Sequence, residues 1–473
     1  MASDNQAAGT NAVEHGNSSP RPSAYPVETQ ITRGPGGRIL TNIGVWSPDS
    51  RRIVYDTRSD ADGTRFDGER IEVVEVATGA VETVYMAKNG AFCGVATFHP
   101  TDDRVVFILG PEFPTADWSY GPAHRQGVMV DLARPEAAIN LDARDLTPPF
   151  TPGALRGGSH VHVFSPDGQW VSFTYNDAVL SEVQSGSPEQ DIDQRNVGVS
   201  VFEARLPVPE PRRLDSLSRS HGGTAFSVLV TRTVANPAPG SDEIQRAFEE
   251  GWVGTNGYCR PDGTRQKRAL AFLGEVISPE GNPLIEVFVA DLPDDVTARG
   301  EWGPLEGTET RRPAPPHGTR QRRLTFTADH AFPGVQGPRH WVRSAPDGSQ
   351  IAFLMRDTSG TPQLWTVSPN GGEPNQIARD SWGIASAFSW SPDGTQIAYI
   401  ADNSVFVVTV QTGQSVRLTA RSTDADAPLS LACVFSPDGR RIAYGRRLPE
   451  QDRVNGPRHN QICVVTLPET GEF

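Results

Sequence analysis

Apolar and polar positions alternate along this chain in short runs of four to six residues, each set off by a turn signal, and a long helical period is nearly absent. The runs Arg52-Ile53-Val54-Tyr55-Asp56, Trp170-Val171-Ser172-Phe173-Thr174-Tyr175, Gln350-Ile351-Ala352-Phe353-Leu354, Gln396-Ile397-Ala398-Tyr399-Ile400 and Arg441-Ile442-Ala443-Tyr444 read as strands. Each leaves one kind of turn: Trp46-Ser47-Pro48-Asp49, Phe164-Ser165-Pro166-Asp167-Gly168, Ala345-Pro346-Asp347-Gly348, Trp390-Ser391-Pro392-Asp393-Gly394 or Phe435-Ser436-Pro437-Asp438-Gly439, with Phe98-His99-Pro100-Thr101-Asp102 a degenerate copy. Proline fits the first corner, aspartate caps the turn through its side chain and glycine takes the position with φ > 0, so every copy predicts a tight hairpin.

The aspartates at 347, 393 and 438 are spaced by 46 and 45 residues, the repeat of a four-stranded propeller blade. The pattern predicts an all-β fold, a single seven-bladed β-propeller over 27–473, with units near 40–90, 91–147, 155–215, 220–322, 336–380, 382–420 and 430–468. Residues 1–26, rich in Ala, Ser, Asn and Pro, form a disordered tail. Units tend to close with a pair such as Leu324-Thr325 or Leu418-Thr419, and Gln30-Ile31-Thr32 has the same form ahead of the first turn. The strand around Val27 to Arg33 is therefore expected to finish the last blade and cover its edge. Two insertions break the rhythm. Ser241 to Gly251, with a serine cap, early acids and a glycine stop, predicts a short helix at about 240–251, and Pro111 to Arg125 carries Trp118, Tyr120 and His124.

Composition narrows the functional classes. A formal charge of −14 lacks the basic footprint of a nucleic-acid partner, and an anionic ligand would need a locally positive pocket. The four cysteines show no CxxC spacing and read as free thiols. No apolar signal region and no run approaching the ~18 apolar residues of a membrane span occurs, which predicts a cytoplasmic protein with no membrane partner. A Gly-x-Ser-x-Gly elbow and a phosphate-binding glycine loop are both absent.

The candidate chemistry centres on His160-Val161-His162-Val163-Phe164. Strand alternation puts His160, His162 and Phe164 on one face, and the same offsets from the fifth turn put His340 in register with His160. In a propeller these are innermost-strand positions, so the three imidazoles converge on the channel as a candidate divalent-metal site, suited to manganese, iron, nickel or zinc. Arg156 and Arg339 adjoin them and are candidates to pair a substrate carboxylate. His221 is a candidate general base or fourth ligand, and His124, His330 and Tyr175 are candidate substrate contacts; His99 belongs to a turn.

The repeated Ser-Pro-Asp-Gly turns with their Ile-Ala-Tyr and Ile-Ala-Phe strands resemble TolB-type propeller repeats. The segments Thr151 to His162, Glu249 to Gly254 and Pro338 to Arg343 look like an uncharacterised bacterial family of TolB-like propellers. Partial similarity extends to oligogalacturonate lyase, a seven-bladed propeller whose channel holds manganese on histidines, including a His-x-His pair, and a glutamine. That resemblance implies manganese on His160, His162 and His340; where the family has its glutamine, three residues before the pair, this sequence has Gly157. Two functions follow as expectations. One is a metal-dependent lyase acting by β-elimination on an acidic, uronic-acid-type sugar or oligosaccharide. The other is a TolB-like propeller that binds a protein partner and needs no metal.

Overall fold

The computed structural model describes residues 25–60, 63–184, 194–202, 206–211, 219–338, 341–449 and 458–468. Seven four-stranded antiparallel sheets form the blades of a propeller. Each is ordered from channel to rim: blade one begins with Gly37–Ile39, two with Cys93–Phe98, three with Gly157–Phe164, four with Ala247–Trp252, five with Arg343–Ser344, six with Ser389–Trp390 and seven with Pro428–Phe435. The rim strand of blade seven is Val27–Gln30, paired antiparallel with Arg458–Thr466 from Val27 opposite Thr466 to Gln30 opposite Cys463. The ring is thus closed by the N-terminal strand, as its Gln-Ile-Thr form predicts.

The repeated turn works as its residues require. In blades one, three, six and seven the serine hydroxyl donates to the aspartate Oδ1 two residues on, at 2.5–2.6 Å, and accepts from the backbone N–H that starts the next strand, at 2.9–3.0 Å. Three tryptophans just before a turn donate their indole N–H to the preceding blade: Trp46 to Val434 O, Trp252 to Val163 O and Trp390 to Arg343 O. The core lies between blade faces, where apolar residues from consecutive sheets interlock, as Phe353, Leu273 and Val289 do between blades four and five. Each such fully buried side chain contributes roughly 1.5–3 kcal/mol.

Two sequence expectations are corrected. Residues 241–251 hold no helix: turns lead into Ala247–Trp252, the channel strand of blade four. Ser241 does bond locally, to Ala238 O, but Ile244 and Ala247 are fully buried in the core between blades three and four, and that burial overrides the helical cap signal. Blade three also reaches further than 215, taking Phe226–Leu229 as its rim strand. His221 therefore precedes the last strand of blade three, not the first of blade four. The predicted tail lies outside the described residues except at its end. Among the described residues no helix is long and apolar enough to cross a membrane, and all four cysteines are free thiols.

Candidate functional site

The channel strands of blades two, three and four each carry one extra residue. Their register against the next strand slips between Gly94 and Thr97, between His160 and Val163, and between Phe248 and Gly251. Val95, Val161 and Glu249 sit in the slip with φ of 59°, 58° and 56°, a conformation costly for a β-branched residue. A bulge of this kind re-aims side chains, so His160 and His162 do not share a face. His160 lines a cavity at one mouth of the channel, whereas His162 is fully buried in the seam between blades two and three.

The surroundings of His162 are those of a structural seam. Its Nε2 lies 3.0 Å from Ser159 Oγ, which donates to Asp142 Oδ1 at 3.2 Å; that oxygen also accepts from Gly127 N–H at 3.0 Å. Serine is the middle member, so no histidine is poised to activate an exposed hydroxyl. Gly127 is needed because a Cβ there would stand 2.6 Å from His162 Nε2. Burial lowers His162 to about 3 and raises Asp142 to about 6, which keeps the imidazole neutral at neutral pH.

The cavity holding His160 has a volume of about 650 Å³. One wall is a four-membered stack. The guanidinium of Arg58 lies 4.6 Å from the Phe66 ring centre, Phe66 and Tyr120 stack at 4.4 Å and 8°, and the guanidinium of Arg125 lies 5.0 Å from the Tyr120 ring centre. Tyr120 and Arg125 come from the insertion between the second and third strands of blade two. The insertion rests on Gly158, where a Cβ would meet Pro122 O at 2.2 Å and Arg125 N at 2.9 Å, so glycine two residues before His160 brings Arg125 to the histidine's cavity. Arg144 ties the loop down from below, donating to the carbonyls of His124 and Arg125 and facing the Trp118 ring at 5.3 Å.

Charge in this cavity is unbalanced in one place. Arg58 is paired with buried Asp56 at 2.6 Å. Arg125 has no carboxylate partner among the described residues, and its Nε is buried without a hydrogen bond. His160 is held well below its ordinary value, first by burial and then by Arg125, Arg195 and His162, and its Nδ1 is also without a partner among the described residues. The site therefore offers an anion-seeking guanidinium beside a neutral imidazole.

The other candidates are placed elsewhere. Arg156, 1% exposed, donates to Asp177 at 2.8 Å, to Thr308 O and to Arg311 O, so its role is to tie blade three to the loop ahead of the rim strand of blade four and not to receive a substrate. Tyr175 is fully buried and donates to Asp177 at 3.2 Å, out of a ligand's reach. His221 exchanges two backbone hydrogen bonds with Arg144, and burial lowers its imidazole to about 3. His124 stacks on Trp118 at 3.8 Å and bonds to Ser119 O, while His330 lies exposed in a turn; none of these lines the His160 cavity. His99 is structural as expected, its Nε2 being 3.1 Å from Gly168 O. Arg339 and His340 lie outside the described residues.

Sequence reasoning missed Arg58, Phe66 and Arg125. The insertion itself was legible as a candidate functional loop from its aromatics, and an arginine closing it was the available signal; Phe66 gave none. A divalent metal does not fit the described residues: His162 has turned away, and no group of three His, Cys, Asp or Glu side chains among them could hold an ion.

Comparison with known proteins agrees with this fold. Residues 92–214, which span blade two and much of blade three, match the family described as protein of unknown function (DUF3748), and residues 358–448 match the N-terminal region of dipeptidyl peptidase IV. The chain is similar in structure to oligogalacturonate lyase in complex with manganese, with a TM-score of 0.51, 12% identity and 95% of each chain covered. It is similar also to oligogalacturonate lyase from Vibrio parahaemolyticus, with a TM-score of 0.51, 10% identity and 94% of each covered. At such identity these likenesses concern the fold alone. In sequence it is 46% identical over 418 residues to the uncharacterized protein YidR of Escherichia coli (strain K12), across 88% of this chain and 94% of that one. A seven-bladed propeller with this degree of identity over nearly its whole length belongs to the YidR family.

Proposed function

We propose that the His160 cavity binds an acidic sugar through its carboxylate, and that the protein is a carbohydrate-active lyase of the uronic-acid type. The supporting observation is Arg125: a guanidinium on the cavity wall with no carboxylate of its own favours an anionic ligand, and a planar fork suits a carboxylate. Tyr120 and Phe66, whose faces are taken up in the stack, hold the two guanidiniums in place on the cavity wall.

In the proposed reaction Arg125 neutralises the carboxylate, which makes the proton on the neighbouring carbon more acidic. Neutral His160 takes that proton, the C–H electron pair becomes the new C=C bond, and the C–O bond at the next carbon breaks. The departing oxygen takes up a proton, so a hydroxyl leaves on one fragment and an unsaturated uronide remains on the other. These steps are assigned to protein groups, with one imidazole of the described residues in the cavity; manganese is tested separately, since the structurally similar oligogalacturonate lyase is in complex with it.

The test is a panel of galacturonate and glucuronate mono- and oligosaccharides beside neutral sugars of equal length, with and without added manganese. Uronides are expected to bind, to yield an unsaturated product absorbing in the ultraviolet, and to lose at least about tenfold in affinity with Arg125→Gln. Equal binding of neutral sugars would overturn the carboxylate reading. Silence in both binding and product would favour the protein-binding propeller.

A further inference from the structure

The opposite mouth of the channel is a second cavity, of about 410 Å³, where the channel strands run out into the repeated turns. Six aromatic side chains line it: Trp46, Phe98, Phe164, Trp252, Trp390 and Phe435. The three indoles have already given their N–H groups to neighbouring carbonyls, so they offer only carbon surface.

Arg343 also lines this cavity and is 5% exposed. Its guanidinium donates to Val342 O at 2.8 Å and to Asn42 Oδ1, and reaches Glu250 O at 3.4 Å. Its Nε is buried with no partner, and it belongs to no ion pair among the described residues. Burial draws it down only to about 10, so it stays charged at neutral pH. Its hydrogen bonds all go to neutral oxygens; the carboxyls of Glu250 and Glu249 act on it through space but neither forms an ion pair with it, so a charge-assisted bond to an anion would still relieve part of the cost of its burial.

We propose that this second cavity binds a monoanion with an apolar body, an arylalkyl or alkyl carboxylate, whose head group pairs with Arg343 while its body packs within the aromatic ring. The turn aspartates follow the prolines around the same mouth, and Asp393 and Asp438 are held ionised by the hydrogen bonds of their own turns, which outweigh their slight burial. That rim, with Glu250 and Glu249 behind Arg343, disfavours a polyanion and leaves room for one negative charge at the guanidinium. The two cavities have no lining residue in common, although Asn42, which Arg343 bonds, lines the sugar cavity; both take a carboxylate, but here its body is apolar, and the assignment does not depend on the sugar reading.

The experiment titrates the full chain with 4-phenylbutyrate and, in parallel, with 4-phenylbutyramide, which has nearly the same shape and no charge. Binding is followed by calorimetry and by the fluorescence of the cavity's tryptophans. The carboxylate is expected to bind saturably, at least about tenfold more tightly than the amide, and not to be displaced by galacturonate. Arg343→Met should reduce the preference to less than about twofold. Should that variant fail to fold, Pro392→Glu on the exposed rim should weaken the carboxylate by at least about threefold and leave the amide unchanged. Equal affinities for the two ligands, displacement by galacturonate, or no saturation at millimolar concentration would each overturn the assignment.

Discussion

Blades five and six are the repeat in its plainest form, with two-residue channel strands, Arg343–Ser344 and Ser389–Trp390, and regular ladders behind them. Blades two and three keep a form of the turn and blade four replaces it with residues 253–268, but all three lengthen the channel strand to six or eight residues and break it with a bulge. The repeat builds the ring, and the bulges decide which way the side chains beside them turn. At the buried position after each bulge residue stand Ala96, His162 and Glu250 in successive blades; in the bulge itself stand Val95, Val161 and Glu249. A strand with strict alternation would have sent His160 and His162 to one side. The bulge sends one to a cavity and the other to a seam.

The largest test of this contrast is at Glu250, 1% exposed, where Thr174 donates to Oε2 at 2.8 Å and Oε1 has no partner. Burial raises its carboxyl from 4.5 to about 7. The folded protein therefore holds this proton more tightly than the unfolded chain, so stability falls as pH rises from 4.5 through 7 and the full cost is present above it. Glu250→Gln cannot ionise. It should match the parent below pH 4.5 and exceed it by up to about 3 kcal/mol above pH 7, measured by urea unfolding at both ends. A variant less stable than the parent at pH 8 would show a well-paired carboxylate and break the contrast.

Next in size is the split between the histidines. His162→Ala removes a buried hydrogen bond and opens a seam, and should cost about 2 kcal/mol while uronide affinity holds. His160→Ala should do the reverse, abolishing uronide turnover with a stability change within about 0.5 kcal/mol. Loss of turnover in both variants with stability intact would restore the shared-face reading.

How much was legible follows from where each cause lies. The turns were, because Ser, Pro, Asp and Gly act on one another within five residues; so was ring closure, because Gln30-Ile31-Thr32 repeats the form of the other rim strands. The bulges were not. Val161 is as ordinary a strand residue as any, and its left-handed backbone goes with a distant fact, the packing of residues 122–125 on Gly158. Arg156 looked like a site residue because Asp177, 21 residues on, becomes its neighbour only in the folded sheet, and Tyr175 because its full burial is likewise a property of the fold. The channel strand of blade four was hidden by Ser241, the early acids and Gly251, which read as the cap, first turn and stop of a helix until the fold buries Ile244, Ala247 and Glu250.

The smallest expected effect measures the strain directly. Val161→Gly relieves a β-branched residue at φ 58° and should stabilise by about 1 kcal/mol. Val405→Gly, in a regular and fully buried strand of blade six, should cost about 2 kcal/mol. Thermal unfolding of the pair reads both; equal losses would mean that Val161 carries no strain.

The closing strand has a consequence in time. Val27 is synthesised near the start and its partner Thr466 near the end, so the last ladder of the ring joins residues roughly 440 apart and cannot form on a growing chain. Six blades can assemble as they emerge, each beside its predecessor. The seventh must wait with the edge of Arg458–Thr466 unpaired, and for that interval the molecule is an open arc with a strand edge available to any other chain, including another copy of itself. Quality control during synthesis therefore falls on one short segment, Val27–Gln30, whose docking turns an aggregation-prone arc into a ring without ends.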